Sequence, residues 1–422
     1  MIYKLHKNGS YNIHTITTDK FKTIRMEIIL RNNFNQETAA IRTALFEMLT
    51  ENSKNYKSKR ELNLKEEELY NTIIYAESTK LGNEILSSIN LEFLNPKYTD
   101  DDYLNEALKL PFDLLFNPNI IDGKFDDDTL VTIKQRLLSE LASIQENPQK
   151  KAIFNALKIM DPKSISSKNL IGTEEEINNI TTTKLYQEYL YILAHDYIDI
   201  FIIGDFDCDE VINIINGESN FRTIKNHDVS LFIDNRVKNK VSKKEESSND
   251  YQSQIVYIYN TINLNENERK YIMPIYNMIL GGGSLETKLS KSLRGDNSLC
   301  YGVQSIYNKY DNLLIITTSV DASNVNIAKK LIASSVNSMK DKVTDDEVKH
   351  AISSSISSIN MAYDYPNRVI ANYLFNYMAE LDPMEIRIEN YKKVTKEEVA
   401  KISKKIKLNT IYVLKGENNE EN

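Results

Sequence analysis

The sequence predicts an α+β protein of two homologous domains, each a mainly antiparallel sheet packed with long helices. Three observations predict it. A strand, a polar Asn-rich turn and an amphipathic helix occur in that order early in the chain and again after residue 250. A Thr-capped helix leading into a strand that ends at glycine then closes each half. The chain's 422 residues are also too many for one compact core and suit two domains of roughly 200 residues.

The first strand of the pattern is Ile24-Arg25-Met26-Glu27-Ile28, whose apolar and polar residues alternate as in a half-buried strand. After the turn Asn32-Asn33-Phe34-Asn35, the apolar positions Ile41, Ala44, Leu45, Met48 and Leu49 recur at helical spacing. In the second half Gln254 to Tyr259 reads as a strand. An Asn-rich turn follows, then a helix carrying Tyr271, Ile272, Ile275, Met278 and Ile279. The closing units are Ile180-Thr181-Thr182-Thr183 before the strand Ile198 to Gly204, and Val394-Thr395-Lys396 before Thr410 to Gly416. A Thr at a helix start satisfies an otherwise orphaned backbone N–H. The domains are therefore expected at 1–218 and 250–422. Residues 219–249, polar and charge-rich from Lys238 to Asp250, read as the connection between them.

Composition excludes several classes. Hydrophobic residues make up 41% and charged residues 27%, ordinary values for a globular protein. A net charge of −8 argues against a nucleic-acid partner, because phosphate binding needs a basic face. No stretch is apolar for long enough to span a bilayer, and no signal-peptide core follows Met1. Cys208 and Cys300 form neither a disulfide framework nor a Cys-rich metal site. The expected setting is cytoplasmic, with no membrane partner.

Two segments carry chemistry. On the first-domain helix stands Ala44-Leu45-Phe46-Glu47-Met48. Downstream, Asp126-Asp127-Asp128 precede a long helix on whose wheel Glu140 falls in the stripe of Ile133, Leu137 and Ile144. A carboxylate so placed must be paired, snorkelling or facing a cleft. In the second half Gly281-Gly282-Gly283-Ser284 is the chain's single glycine cluster, followed by Lys288 to Arg294 and then Cys300-Tyr301-Gly302. Taken singly each feature has a plainer explanation. Glu47 can be a solvated side chain, Glu140 half of a structural ion pair, Arg294 a surface cation near a helix end, Tyr301 a core strand residue and the glycines a flexible turn. Cys300 reads as a small packed residue.

Together, and in this order, these segments resemble the insulinase/pitrilysin group of inverzincin peptidases, in the two-domain bacterial form related to mitochondrial processing peptidase. The likeness extends to the subfamily associated with elongation factor P modification. It implies the processing-peptidase-like metallohydrolase fold, with H-x-x-E-H on a first-domain helix, a later Glu completing a zinc site, and a Gly-rich turn with an Arg/Tyr pair in the second domain. Aligned on Glu47, Ala44 and Met48 occupy the positions of the two histidines, and Glu140 matches the distal Glu. An Ala methyl has no lone pair, a Met thioether is a soft donor, and catalytic zinc needs about three ligands from the protein. None of His6, His14, His195, His227 and His350 forms an i, i+4 pair on this helix.

The resemblance thus implies a chain with no catalytic residues and no metal of its own: the box Ala44, Glu47, Met48 and Glu140 is degenerate. Arg294, Tyr301, Gly282, Gly283 and Ser284 are the expected substrate-binding residues. The expected function is the non-catalytic subunit of a heterodimeric zinc peptidase. It would lend Arg294 and Tyr301 to a zinc-bearing homologous partner, or to a second copy in a homodimer, for peptide processing. The alternative is a peptide-binding scaffold without cleavage.

Overall fold

The computed structural model describes residues 1–221, 231–283, 285–378 and 380–417. The chain separates into two compact units. The first contains β1 (Ile2–Lys7), β2 (Asn12–Thr17), β3 (Thr23–Asn33), β4 (Ile73–Leu81), β5 (Glu84–Leu94) and β6 (Tyr197–Gly204), in the sheet order β1-β2-β6-β3-β5-β4. The second contains β7 (Ser242–Ser247), β8 (Ser253–Thr261), β9 (Val303–Asn308), β10 (Leu313–Val320) and β11 (Ile406–Lys415), in the order β7-β11-β8-β10-β9. Beyond β1 the two orders superimpose strand for strand. In each sheet one pair is parallel, β2 with β6 and β7 with β11, and the remaining pairs are antiparallel. The α+β class and the internal duplication therefore appear directly in the topology.

The repeated sequence signatures occupy equivalent places. Thr181 accepts a hydrogen bond from the Lys184 N–H at the start of the helix Thr182–His195, which feeds β6. Thr395 accepts from the Glu398 N–H at the start of Lys396–Ile402, which feeds β11. The strand ends need glycine on steric grounds, since a Cβ at Gly416 would lie 2.5 Å from the Asp250 carbonyl oxygen. β3 departs from the expected half-buried strand. Its polar row is sunk as well, with Arg25 buried and held by Glu27 at 2.7 Å and Glu92 at 3.1 Å. Charges so deep persist because they are paired.

Two further features depart from the linear division of the chain at 218 and 250. Residues Ala142–Ser167 belong to the second unit, and Tyr365–Ala371 to the first. The reason for the former is packing. The helix Pro148–Met160 turns Ala152, Ala156 and Met160 onto Val256, Ile258, Leu313, Ile315 and Tyr412 of the second sheet. The charged run read as a connection also carries β7. This edge strand is exposed along most of its length, so its composition is polar, and charge on an edge discourages pairing with other chains. No helix among the described residues is long and apolar enough to cross a membrane.

Candidate functional site

The helix Gln36–Leu49 begins at Asn35, whose side chain accepts from the Glu37 N–H. Its apolar stripe faces the first sheet. Ala44, Leu45 and Leu49 are fully buried, and Phe46 and Met48 are 1% exposed. The two positions where the resemblance places zinc ligands are therefore core. Of the box, Glu47 and Glu140 reach a cavity of about 230 Å³, lined also by Thr43, Asn169 and residues Ala76 to Ser78 of β4.

Glu140 is exposed on this cavity rim, which corrects its placement in an apolar stripe. Leu130, Ile133 and Leu137 are the buried residues of the helix Asp127–Glu146. Beyond Leu137 the helix runs out past the core, and the wheel pattern loses its meaning there. Glu47 does have a cation beside it, Arg136. Its Nε lies 3.5 Å from the Glu47 carboxylate, and its Nη2 donates to Glu51 at 2.6 Å. Burial pushes the Glu47 carboxyl above its ordinary range. Arg136 opposes that shift, while Glu140 and Glu51 add to it.

This donor set does not fit a catalytic zinc. Two of the four residues are buried apolar side chains, and the third is engaged by a guanidinium. Among the described residues no group of three or more His, Cys, Asp or Glu side chains is placed to hold a metal ion.

The second unit carries the glycine turn and the Arg/Tyr segment. The helix after β8 ends at Gly281, whose N–H donates to the Asn277 carbonyl and whose own carbonyl accepts from the Ser305 N–H, both at 3.0 Å. A Cβ at Gly281 would meet the Ser305 nitrogen at 2.9 Å, and one at Gly282 the Met278 Cα at 2.8 Å. The turn is thus pinned to β9 and can be made only of glycine. Gly283 follows at φ +105°, a left-handed conformation that disfavours side chains. Ser284 lies outside the described residues.

The chain then makes a widened helical turn over Lys291–Gly295, closed by the Asp296 N–H donating to the Lys291 carbonyl. Such turns recur at functional sites. This one anchors Leu293 in the core, next to Leu289 of the preceding helical turn, while leaving Arg294 exposed. Cys300 is 8% exposed and packs with the same core. Tyr301 points out, 87% exposed, and is not the core strand residue that its sequence also allowed. Arg294, Tyr301 and Gly283 line one cavity of about 330 Å³, with Gln149, Gln252, Gln304 and Thr317 to Ser319 around them. Among the described residues neither the Arg294 nor the Tyr301 side chain has a hydrogen bond or ion pair. Nothing in the sequence marked Gln149 or Thr317, because the first reaches this cavity on a helix from the first half of the chain.

Residues 179–355 match the family described as "Peptidase M16 inactive domain". A "Probable inactive metalloprotease YmfF" of Bacillus subtilis (strain 168) is 24% identical over 97% of this chain and 97% of its own length. The chain is thus similar to inactive members of the insulinase (M16) family. Solved structures share the fold. A conserved protein from Enterococcus faecalis V583 is 25% identical and superimposes with a TM-score of 0.91 over 99% of this chain and 100% of that one. A peptidase M16 inactive domain from Pseudomonas fluorescens has the same fold at 16% identity, with a TM-score of 0.78 over the full length of both chains. In this chain the buried Ala44 and Met48 leave the helix Gln36–Leu49 without side chains that could hold a catalytic zinc.

Proposed function

We propose that this chain is the non-catalytic subunit of a heterodimeric zinc metallopeptidase, contributing Arg294 and Tyr301 to a site whose zinc is held by a homologous partner. One observation carries this reading: an arginine and a tyrosine without partners among the described residues share the rim of the same cavity, beside a glycine turn that brings backbone close. Unpaired polar groups held at a fixed cavity are suited to grip something that arrives from outside. A guanidinium offers a fork of donors to a peptide carbonyl or carboxylate. A phenol can donate to the oxygen that gains charge during amide hydrolysis.

The test is the activity of the purified pair. Arg294→Ala combined with Tyr301→Phe should leave the complex assembled and lower kcat roughly a hundredfold, the usual effect of losing an oxyanion donor. Unchanged cleavage would refute the shared site. A second reading, a peptide-binding scaffold without cleavage, is favoured by one feature. β9 follows Tyr301 directly and is the outer strand of its sheet, so an extended peptide could add to its free edge. That reading requires peptide binding by the lone chain and no zinc-bearing partner.

A further inference from the structure

We infer that the cavity at Arg294 selects a carboxylate, carried by the C-terminus or an acidic side chain of the bound peptide. This rests on the proposal that the cavity receives a peptide. Among the described residues Arg294 is the one charged side chain in the lining, and no Asp or Glu offsets it. In a protein with a net charge of −8, a cavity wall free of carboxylates is a pronounced local departure.

The floor is polar for a structural reason. On one face of β10 the residues run Leu313, Ile315, Thr317, Ser319. The helix Pro148–Met160 covers the first two with Ala152, Ala156 and Met160, and its first turn reaches the cavity at Gln149. Thr317 and Ser319 lie in the same row and are left to line the cavity. Ser319 is satisfied by Gln254 at 2.6 Å and Thr318 by the Gly302 carbonyl at 2.9 Å. Thr317 is not. The residue is 1% exposed and its Oγ1 has no hydrogen-bond partner among the described residues. A buried hydroxyl without a partner is destabilising unless a ligand or water completes it. A free guanidinium, an orphaned hydroxyl and the N-terminal turn of a 13-residue helix together favour an anion.

Fluorescence anisotropy on the full chain tests this with four peptides of one neutral sequence. The first has a free C-terminus, the second a C-terminal amide, the third the amide with one internal Glu, and the fourth the same with Gln. The free-acid or Glu peptide should bind about tenfold more tightly than its neutral counterpart, as a charge-assisted pair warrants. Which of the two does so identifies the source of the carboxylate. Arg294→Gln should erase the preference. Thr317→Val should reduce it severalfold without weakening the amide peptide.

Equal affinities for all four peptides, or no binding by any, would overturn the inference. The two proposals fail separately. Cleavage lost in the Arg294/Tyr301 double variant with no carboxylate preference leaves the shared site standing. A carboxylate preference with cleavage unaffected by that variant leaves only the anion pocket.

Discussion

Restoring the missing ligands, Ala44→His with Met48→His, should not restore a metal site. Ala44 is fully buried and Met48 is 1% exposed, so an imidazole at 44 adds a five-atom ring to a filled core. Overpacking of that kind costs about 1–3 kcal/mol. Each buried ring N–H without a partner adds about 1–3 kcal/mol. At position 44 alone the total is therefore about 2–6 kcal/mol, a large fraction of the roughly 5–15 kcal/mol that holds a domain folded. At about 2–4 °C per kcal/mol for a domain of this size, the unfolding midpoint should fall by roughly 5–20 °C. Zinc cannot recover the loss cheaply, because Arg136 already occupies the space beside Glu47 with a positive charge. The assay is scanning calorimetry with and without zinc, together with metal analysis after dialysis. One zinc per chain at a wild-type midpoint would show that the helix face is open after all.

Two further outcomes follow from buried groups. Glu188 is 8% exposed, and burial pushes its carboxyl up to about 7, with Arg42 opposing and Asp196 reinforcing. Its proton is thus held more tightly in the folded chain than at the ordinary value of 4.5. Stability from this group is complete below about pH 4.5 and is lost as the pH rises through 7, by at most about 3 kcal/mol at 1.36 kcal/mol per pH unit. Glu188→Gln should flatten that slope in urea titrations between pH 5 and 8, and an unchanged slope would assign it elsewhere. Gly282→Ala must move backbone, since its Cβ would sit 2.8 Å from the Met278 Cα. A loss of about 1–3 kcal/mol in urea unfolding is expected, and a change below about 0.5 kcal/mol, typical of surface positions, would mean the turn is freer than its geometry.

The duplicated architecture was legible because capping and periodicity are local. Thr181 and Thr395 announce their helices within four residues, and β8 was bounded to within two residues at each end. Loss of the zinc box was equally plain, since it depends on residue type. Glu140 was misplaced because a helical wheel assumes that the core accompanies the helix along its whole length. Arg136, the cation beside Glu47, lies 89 positions away in the chain, and no local pattern pairs them. Arg294 and Tyr301 could be named from order and spacing. That their side chains are without partners among the described residues, and that Thr317 lies unsatisfied there beside them, are facts of tertiary packing alone. β7 was hidden by its charge, because a strand with an exposed edge lacks the apolar row that reveals the others.

The helix Pro148–Met160 gives the chain a timing problem during synthesis. Its partners on β8 and β10 are made roughly 100 to 165 residues after it, and Tyr412 roughly 250 residues after it. At about 5–20 residues per second, the apolar face of Ala152, Ala156 and Met160 waits on the order of ten to fifty seconds for its complete surface. Through that interval the first half carries a sticky, unsatisfied helix outside the ribosome. Nascent-chain holding factors have an obvious client segment there, and a ribosome stalled after residue 160 would leave it uncovered.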